Sequence, residues 1–90
     1  MANLARFLRA LKELNIRIIG TAEDGAEDLY ASQLTGPLAL VLGSEGKGLR
    51  RLTREHCDEL MRVPMRGSVE SLNVSVAAGV CLYEAVRQRS

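Results

Sequence analysis

The apolar run that follows Val63-Pro64 constrains this chain more than any other feature. Between Ser71 and Arg87, only Asn73, Ser75, Gly79 and Glu84 interrupt a series of Leu, Val, Ala, Cys and Tyr residues. Its first residues, Leu72, Val74 and Val76, alternate as a strand would, but a run this long without a turn signal reads as a helix from about Ser71 to Arg87. Mapped on a helix, the apolar residues cover nearly the whole cylinder, and such a helix must be buried nearly all round. A chain of 90 residues buries only roughly 60 to 65% of its unfolded surface. The run therefore requires a subunit contact or a further part of the domain, and Ala77, Ala78 and Gly79 would permit close backbone approach. Ser71, Asn73 and Ser75 at its start are either caps or ligand contacts.

The rest of the chain supplies α-then-β order. Leu4, Phe7, Leu8, Leu11 and Leu14 fall at helical spacing, with Asn3 as N-cap and Asn15 as the stop. Ile16 to Gly20 reads as a short buried strand. An acidic stretch, Thr21 to Asp28, reads as a solvated loop, and Ala26 to Ala31 as one or two helical turns. After Gly36-Pro37, the apolar run Leu38 to Leu42 predicts a strand buried on both faces, in the middle of a parallel sheet covered by helices. Leu49 to Cys57 looks helical, in one piece or in two with Thr53 capping the second. Glu59 to Val63 alternates as a third strand and Pro64 stops it.

Lys and Arg number 12 against 11 Asp and Glu, a net charge of +1, so any surface that attracts nucleic acid must be local. Cys57 and Cys81 are far apart with no C-x-x-C spacing, and no signal peptide precedes the first helix, so two reduced thiols in a cytoplasmic protein are expected. No apolar run reaches the roughly 20 residues a membrane-spanning helix needs. The abrupt start of the first helix suits a small protein and equally a piece of a longer one.

Gly43-x-Glu45-Gly46-x-Gly48 after a buried strand is either a plain strand-to-helix turn or a backbone loop shaped for a ligand. It matches neither the P-loop, since Val41 and Gly48 stand where Gly and Ser or Thr are needed, nor the dinucleotide fingerprint. His56 has no motif placing a Ser or Cys nucleophile beside it, and His56-Cys57 lacks a second pair to complete a metal site.

Leu40 to Leu49, with Val63-Pro64-Met65 and Ser68 to Ala77, resembles the second and third motifs of the SpoU/TrmH methyltransferases, in the knotted SPOUT superfamily. The segments Leu52 to Leu60 and Glu84 to Arg89 are similar to a bacterial branch that methylates a guanosine ribose in large-subunit ribosomal RNA. The resemblance covers nearly all of the chain and implies a parallel-sheet α/β fold closed by a deep trefoil knot, one of the rare exceptions to unknotted topology. It implies an S-adenosylmethionine pocket lined largely through backbone by Leu42, Gly43, Glu45, Gly46, Val63, Pro64, Met65 and Leu72, with Ser71, Asn73 and Glu45 as polar active-site groups. A homodimer with the last helix at or near its interface is also implied, and no metal.

One family feature is missing: the first motif, with its Asn and Arg, lies upstream, and nothing in Met1 to Asn15 matches it. The chain thus reads as the C-terminal, cofactor-binding part of an RNA 2'-O-methyltransferase. The alternatives are a non-catalytic binding or dimerisation module and a generic α/β nucleotide-binding domain. Arg50, Arg51, Arg54, Arg62 and Arg66 surround the pocket loops in sequence, and their clustering in a nearly neutral chain predicts a local rim for RNA phosphates or, failing that, solvated helix faces.

Overall fold

Asn3 opens the first helix, α1 (Leu4–Glu13), by accepting the Arg6 amide at 3.0 Å. Asn15 follows its end at φ 60°, in the left-handed region that asparagine tolerates better than most side chains. Both ends lie where the sequence places them. The computed structural model describes residues 3–43, 48–65 and 73–90. Beyond α1 come β1 (Arg17–Thr21), β2 (Glu27–Asp28), a 3-10 turn (Leu29–Ala31), β3 (Leu38–Val41), α2 (Arg51–His56), β4 (Glu59–Arg62) and α3 (Val74–Arg89).

The strands form one parallel sheet in the order β2-β4-β1-β3. Successive side chains of β1 point to opposite faces. Ile18 and Ile19 are 0% and 1% exposed, so both faces of the central strand are covered. Ile19 joins Leu29, Leu34, Met61, Cys81 and Ala85 in the core beneath α3. On the other face α1 packs against β1 and α2, with Leu8 buried. Gly20 shares that face: a Cβ there would lie 2.7 Å from both Cys57 Sγ and Leu49 Cδ1.

Three expectations change. The Leu38–Leu42 run ends the described sheet instead of occupying its middle, and β3 is half-buried throughout. An apolar run shows that cover is needed but does not show from which side it comes. The segment expected as helical turns at Ala26–Ala31 divides into the two residues of β2, paired with β4, and a 3-10 turn that Asp28 caps through the Tyr30 amide at 2.9 Å. In α3 only Cys81, Glu84 and Ala85 are buried, whereas Leu82, Tyr83 and Val86 are 56%, 77% and 54% exposed. Its N-cap is Asn73, while Ser71 and Leu72 lie outside the described residues.

The C-terminal turns of α3 are fastened to the segment before β3. Gln88 accepts the Leu34 amide at 2.7 Å and donates to the Ser32 carbonyl at 2.9 Å, as a neighbouring strand would. Arg89 donates to the carbonyls of Leu34 and Gly36 at 3.1 and 2.6 Å. Beneath them Glu84, 5% exposed, receives two bonds from Arg87 at 2.8 and 2.7 Å and one from Gln88 at 2.9 Å. The Arg87 guanidinium, with help from Gln88, holds the Glu84 carboxyl down at about 2.

A carboxyl depressed in the folded state stabilises fully above its ordinary value near 4.5 and loses that contribution as pH falls through about 2. Urea midpoints should therefore favour the unaltered chain over Glu84→Gln at pH 7, with the gap closing between about pH 4.5 and 2. A gap independent of pH would show that the charge of Glu84 contributes nothing.

Candidate functional site

In a parallel sheet, ligands bind beyond the carboxyl ends of the strands. Among the described residues, the chain leaves that edge at 22–26 from β1, at 42–43 from β3 (returning at 48–50), at 63–65 from β4 and, beyond β4, into the 3-10 turn that follows β2. Because β1 pairs with both β3 and β4, through Gly20 with Val41 and Thr21 with Met61, the loops from β3 and β4 emerge on either side of it. Two inter-strand spacings of about 4.8 Å separate their roots.

The β3 loop is closed at its neck. A Cβ on Gly43 would lie 2.2 Å from the Gly48 carbonyl carbon and 2.6 Å from the Leu49 nitrogen, so the two backbones touch there and no side chain fits. Gly48 has φ +67°, a conformation that glycine adopts without strain. Leu49 then folds back over Gly20. The neck is thus a contact of backbone with backbone, and Leu42 and Gly43 are half-buried beside it. Of the residues expected between them, Glu45 and Gly46 lie outside the described residues.

Across β1, Val63 packs against the core and Pro64 is half-buried, while Met65 is at the margin of exposure. These side chains offer apolar surface beside a backbone loop. Asn73 is exposed at the start of α3, where its Oδ1 accepts the Ser75 amide at 2.8 Å. Since a backbone N–H requires an acceptor, the cap fixes the oxygen end of the amide and leaves the nitrogen end as a donor. Ser71 and Leu72, expected beside it, fall outside the described residues.

The expected arginine rim divides. Arg54 gives both terminal nitrogens to Asp24, at 3.1 and 3.0 Å, and the pair lowers the Asp24 carboxyl below its usual range. Arg62 donates to the Gly25 carbonyl at 2.7 Å. Both guanidinium groups are thus engaged with the loop after β1, and each keeps N–H groups beyond those bonds. Arg50 is exposed at the N-cap of α2, and Arg51 is exposed with only a 3.6 Å pairing to Glu55. Arg66 is outside the described residues. The involvement of Asp24 and Gly25 at this edge was not read from the sequence, although acidic residues just after a strand that ends at the site were a usable signal.

Among the described residues no nucleophile–base pair forms around His56. Its Nδ1 lies 3.1 Å from the Leu52 carbonyl, and Cys57 donates to the Thr53 carbonyl at 3.3 Å, with burial raising the thiol pKa. Among the described residues no three His, Cys, Asp or Glu side chains are grouped so as to hold a metal ion.

Comparisons with known proteins identify the family. Residues 1–83 match the SpoU rRNA Methylase family. Over all 90 residues the chain is 68% identical to the 23S rRNA (guanosine-2'-O-)-methyltransferase RlmB of Photorhabdus laumondii and 66% identical to that of Escherichia coli K12. It spans 37% of the length of each. The crystal structure of an RNA 2'-O ribose methyltransferase superposes with a TM-score of 0.90 at 36% identity, over 98% of this chain and 34% of that one. The SpoU methyltransferase AviRb of Streptomyces viridochromogenes, in complex with the cofactor AdoMet, gives a TM-score of 0.81 at 39% identity, over 96% of this chain and 33% of that one. The parallel α/β architecture is that of these SPOUT enzymes, and the chain belongs to the SpoU rRNA methylase family.

Proposed function

We propose that this chain is the C-terminal, cofactor-binding part of an enzyme that uses S-adenosylmethionine to methylate a guanosine ribose 2'-oxygen in 23S ribosomal RNA in the cytoplasm. The observation that carries the reading is the 68% identity to an RlmB along the whole of this chain. The edge described above supports it. The glycine neck of the β3 loop leaves room only for backbone, and Leu42, Val63, Pro64 and Met65 add apolar surface, which suits an adenosine and a thioether better than a polyphosphate.

S-Adenosylmethionine supplies a methyl on a sulfonium, which the ribose oxygen takes by in-line displacement while the thioether leaves. This chain's contribution is to hold the cofactor's side of that line at reacting distance. Gly43, Glu45, Gly46, Val63 and Leu72 shape the pocket, and Asn73 and Ser71 orient polar groups at the start of α3. Asn73 has no titratable proton, so of the polar groups proposed for the site only Glu45 can accept one from the hydroxyl at neutral pH. Arg50, Arg51 and Arg66 form the RNA-facing rim.

The reading includes a trefoil knot, with α3 threaded through the preceding segments, and a homodimer without metal. The dimer is supported by the outward face of α3, where Val76, Leu82, Tyr83 and Val86 are exposed around Gly79, and nothing lies within 4 Å of a Cβ built on that glycine. A contiguous apolar face of this kind marks an interaction surface.

Calorimetric titration with S-adenosylmethionine should show binding, and Gly43→Ala should weaken it about tenfold or more, since its Cβ forces the neck open. Binding by the unaltered chain without methyl transfer to 23S ribosomal RNA would favour a non-catalytic module, and no binding would refute the cofactor site. Arg50→Ala with Arg51→Ala should reduce the slope of log affinity for 23S ribosomal RNA fragments against log salt by about 1.4 to 1.8. An unchanged slope would remove both from the rim. In sedimentation velocity the chain should run as a dimer, and Tyr83→Glu as a monomer; dimers of the variant would place the interface elsewhere.

A further inference from the structure

The loop from β1 stands between the two proposed cofactor loops and is bound to the root of the β4 loop and to α2, the helix that follows the β3 loop. On the β4 side it is pressed against the strand backbone. Ala22 donates to the Met61 carbonyl at 2.9 Å, and a Cβ on Gly25 would lie 2.5 Å from the Met61 carbonyl carbon and 2.8 Å from the Arg62 nitrogen. Gly25 is accordingly buried although it lies in a loop. Arg62 reaches back to the Gly25 carbonyl at 2.7 Å, and the next residue is Val63.

On the β3 side the connection runs through Arg54. Its guanidinium meets the Asp24 carboxylate with two parallel bonds, at 3.1 and 3.0 Å. The Arg54 amide donates to the Arg50 carbonyl at 2.9 Å, so Arg54 stands one helical turn beyond Arg50, the residue that follows Gly48 and Leu49 out of the glycine neck. A fork-to-fork pair fixes orientation as well as distance.

We propose that the turn at Asp24 and Gly25 is a clasp setting the separation of the two cofactor loops, with Asp24 and Arg54 as positioning residues that touch neither cofactor nor RNA. The inference rests on the methyltransferase reading for its functional consequence. Asp24 is 70% and Arg54 36% exposed, and a pair so placed adds little to overall stability. Its geometry has a local effect instead, because the loops spring from β3 and β4, strands that do not touch, and β1 supplies the bridge.

The test compares the unaltered chain with Asp24→Asn, Arg54→Lys and the exchanged pair Asp24→Arg with Arg54→Asp. Two quantities are read: amide hydrogen exchange and S-adenosylmethionine affinity. Asp24→Asn should accelerate exchange roughly two- to fivefold at both Gly48–Arg50 and Val63–Met65, leaving the amides of α1 and the last turns of α3 unchanged. It should weaken cofactor binding by a similar factor. Arg54→Lys, which keeps the charge and loses the fork, should do nearly the same, and the exchanged pair should recover much of the loss. Acceleration confined to residues 22–26, or spread evenly over every element, would overturn the clasp, as would unchanged affinity with accelerated loops. If the unaltered chain bound no cofactor, the functional reading would fail, and exchange at the two loops would still decide whether the clasp exists.

Discussion

The sheet depends on the double engagement of Ile18. Its carbonyl accepts the Asp58 amide at 2.8 Å and its own amide donates to the Asp58 carboxylate at 2.7 Å. One residue at the start of β4 thus satisfies both polar groups of a residue that is entirely buried, where an unpaired amide or carbonyl would be costly. Lys12 also lies 3.7 Å from Asp58, bringing the end of α1 to the same point. This fixes the register of β4 against β1, and with it Thr21 opposite Met61, which brings the loops at the carboxyl edge into line. A shift of one residue would turn Ile18 and Ile19 to the wrong faces.

The other end of the molecule is controlled from α3. Gln88 and Arg89 satisfy backbone groups of Ser32, Leu34 and Gly36 across more than fifty positions of sequence. The same helix begins at Asn73. Its axial position is thus set by a polar clasp at its C-terminus and by Cys81 and Ala85 in the core, while its N-terminus is closed by the Asn73 cap. The carboxylate of Glu84 is suited to this place because Arg87 and Gln88 both satisfy it, and a buried charge without such partners would oppose folding.

What the sequence made legible was local or carried by motif. Asn3 and Asn15 are read directly, because capping and left-handed stops depend on a few neighbouring atoms. The family was legible from the two motifs, and the three longer strands from their apolar patterns. β2 was not, because Glu27 and Asp28 have no strand character of their own and become a strand only by pairing with Met61 and Arg62. The apolar residues of β3 indicate burial but not neighbour order, and the strand stands at the end of the described sheet. The sequence offers Arg54 and Arg62 as a phosphate rim or as solvated faces, and their bonds to Asp24 and Gly25 are not legible there because a charge count does not reveal partners; Asp24, thirty positions from Arg54, meets it only in the fold.

The division between backbone and side chain at the site has a physical consequence. A pocket made from a glycine neck and strand ends has few side-chain rotamers to adjust, so its dimensions are those of the backbone itself. Gly43 and Gly48 can touch only while β3 and α2 keep their spacing, and Val63 stays in place only while β4 keeps its register. Contacts at Asp58, Asp24 and Gly25 thus bear on where the loop roots lie, although none of these residues belongs to the loops from β3 and β4. For the methyl transfer proposed above, a displacement sensitive to small misplacements, residues that hold loop roots in place would act on the reaction without touching its atoms.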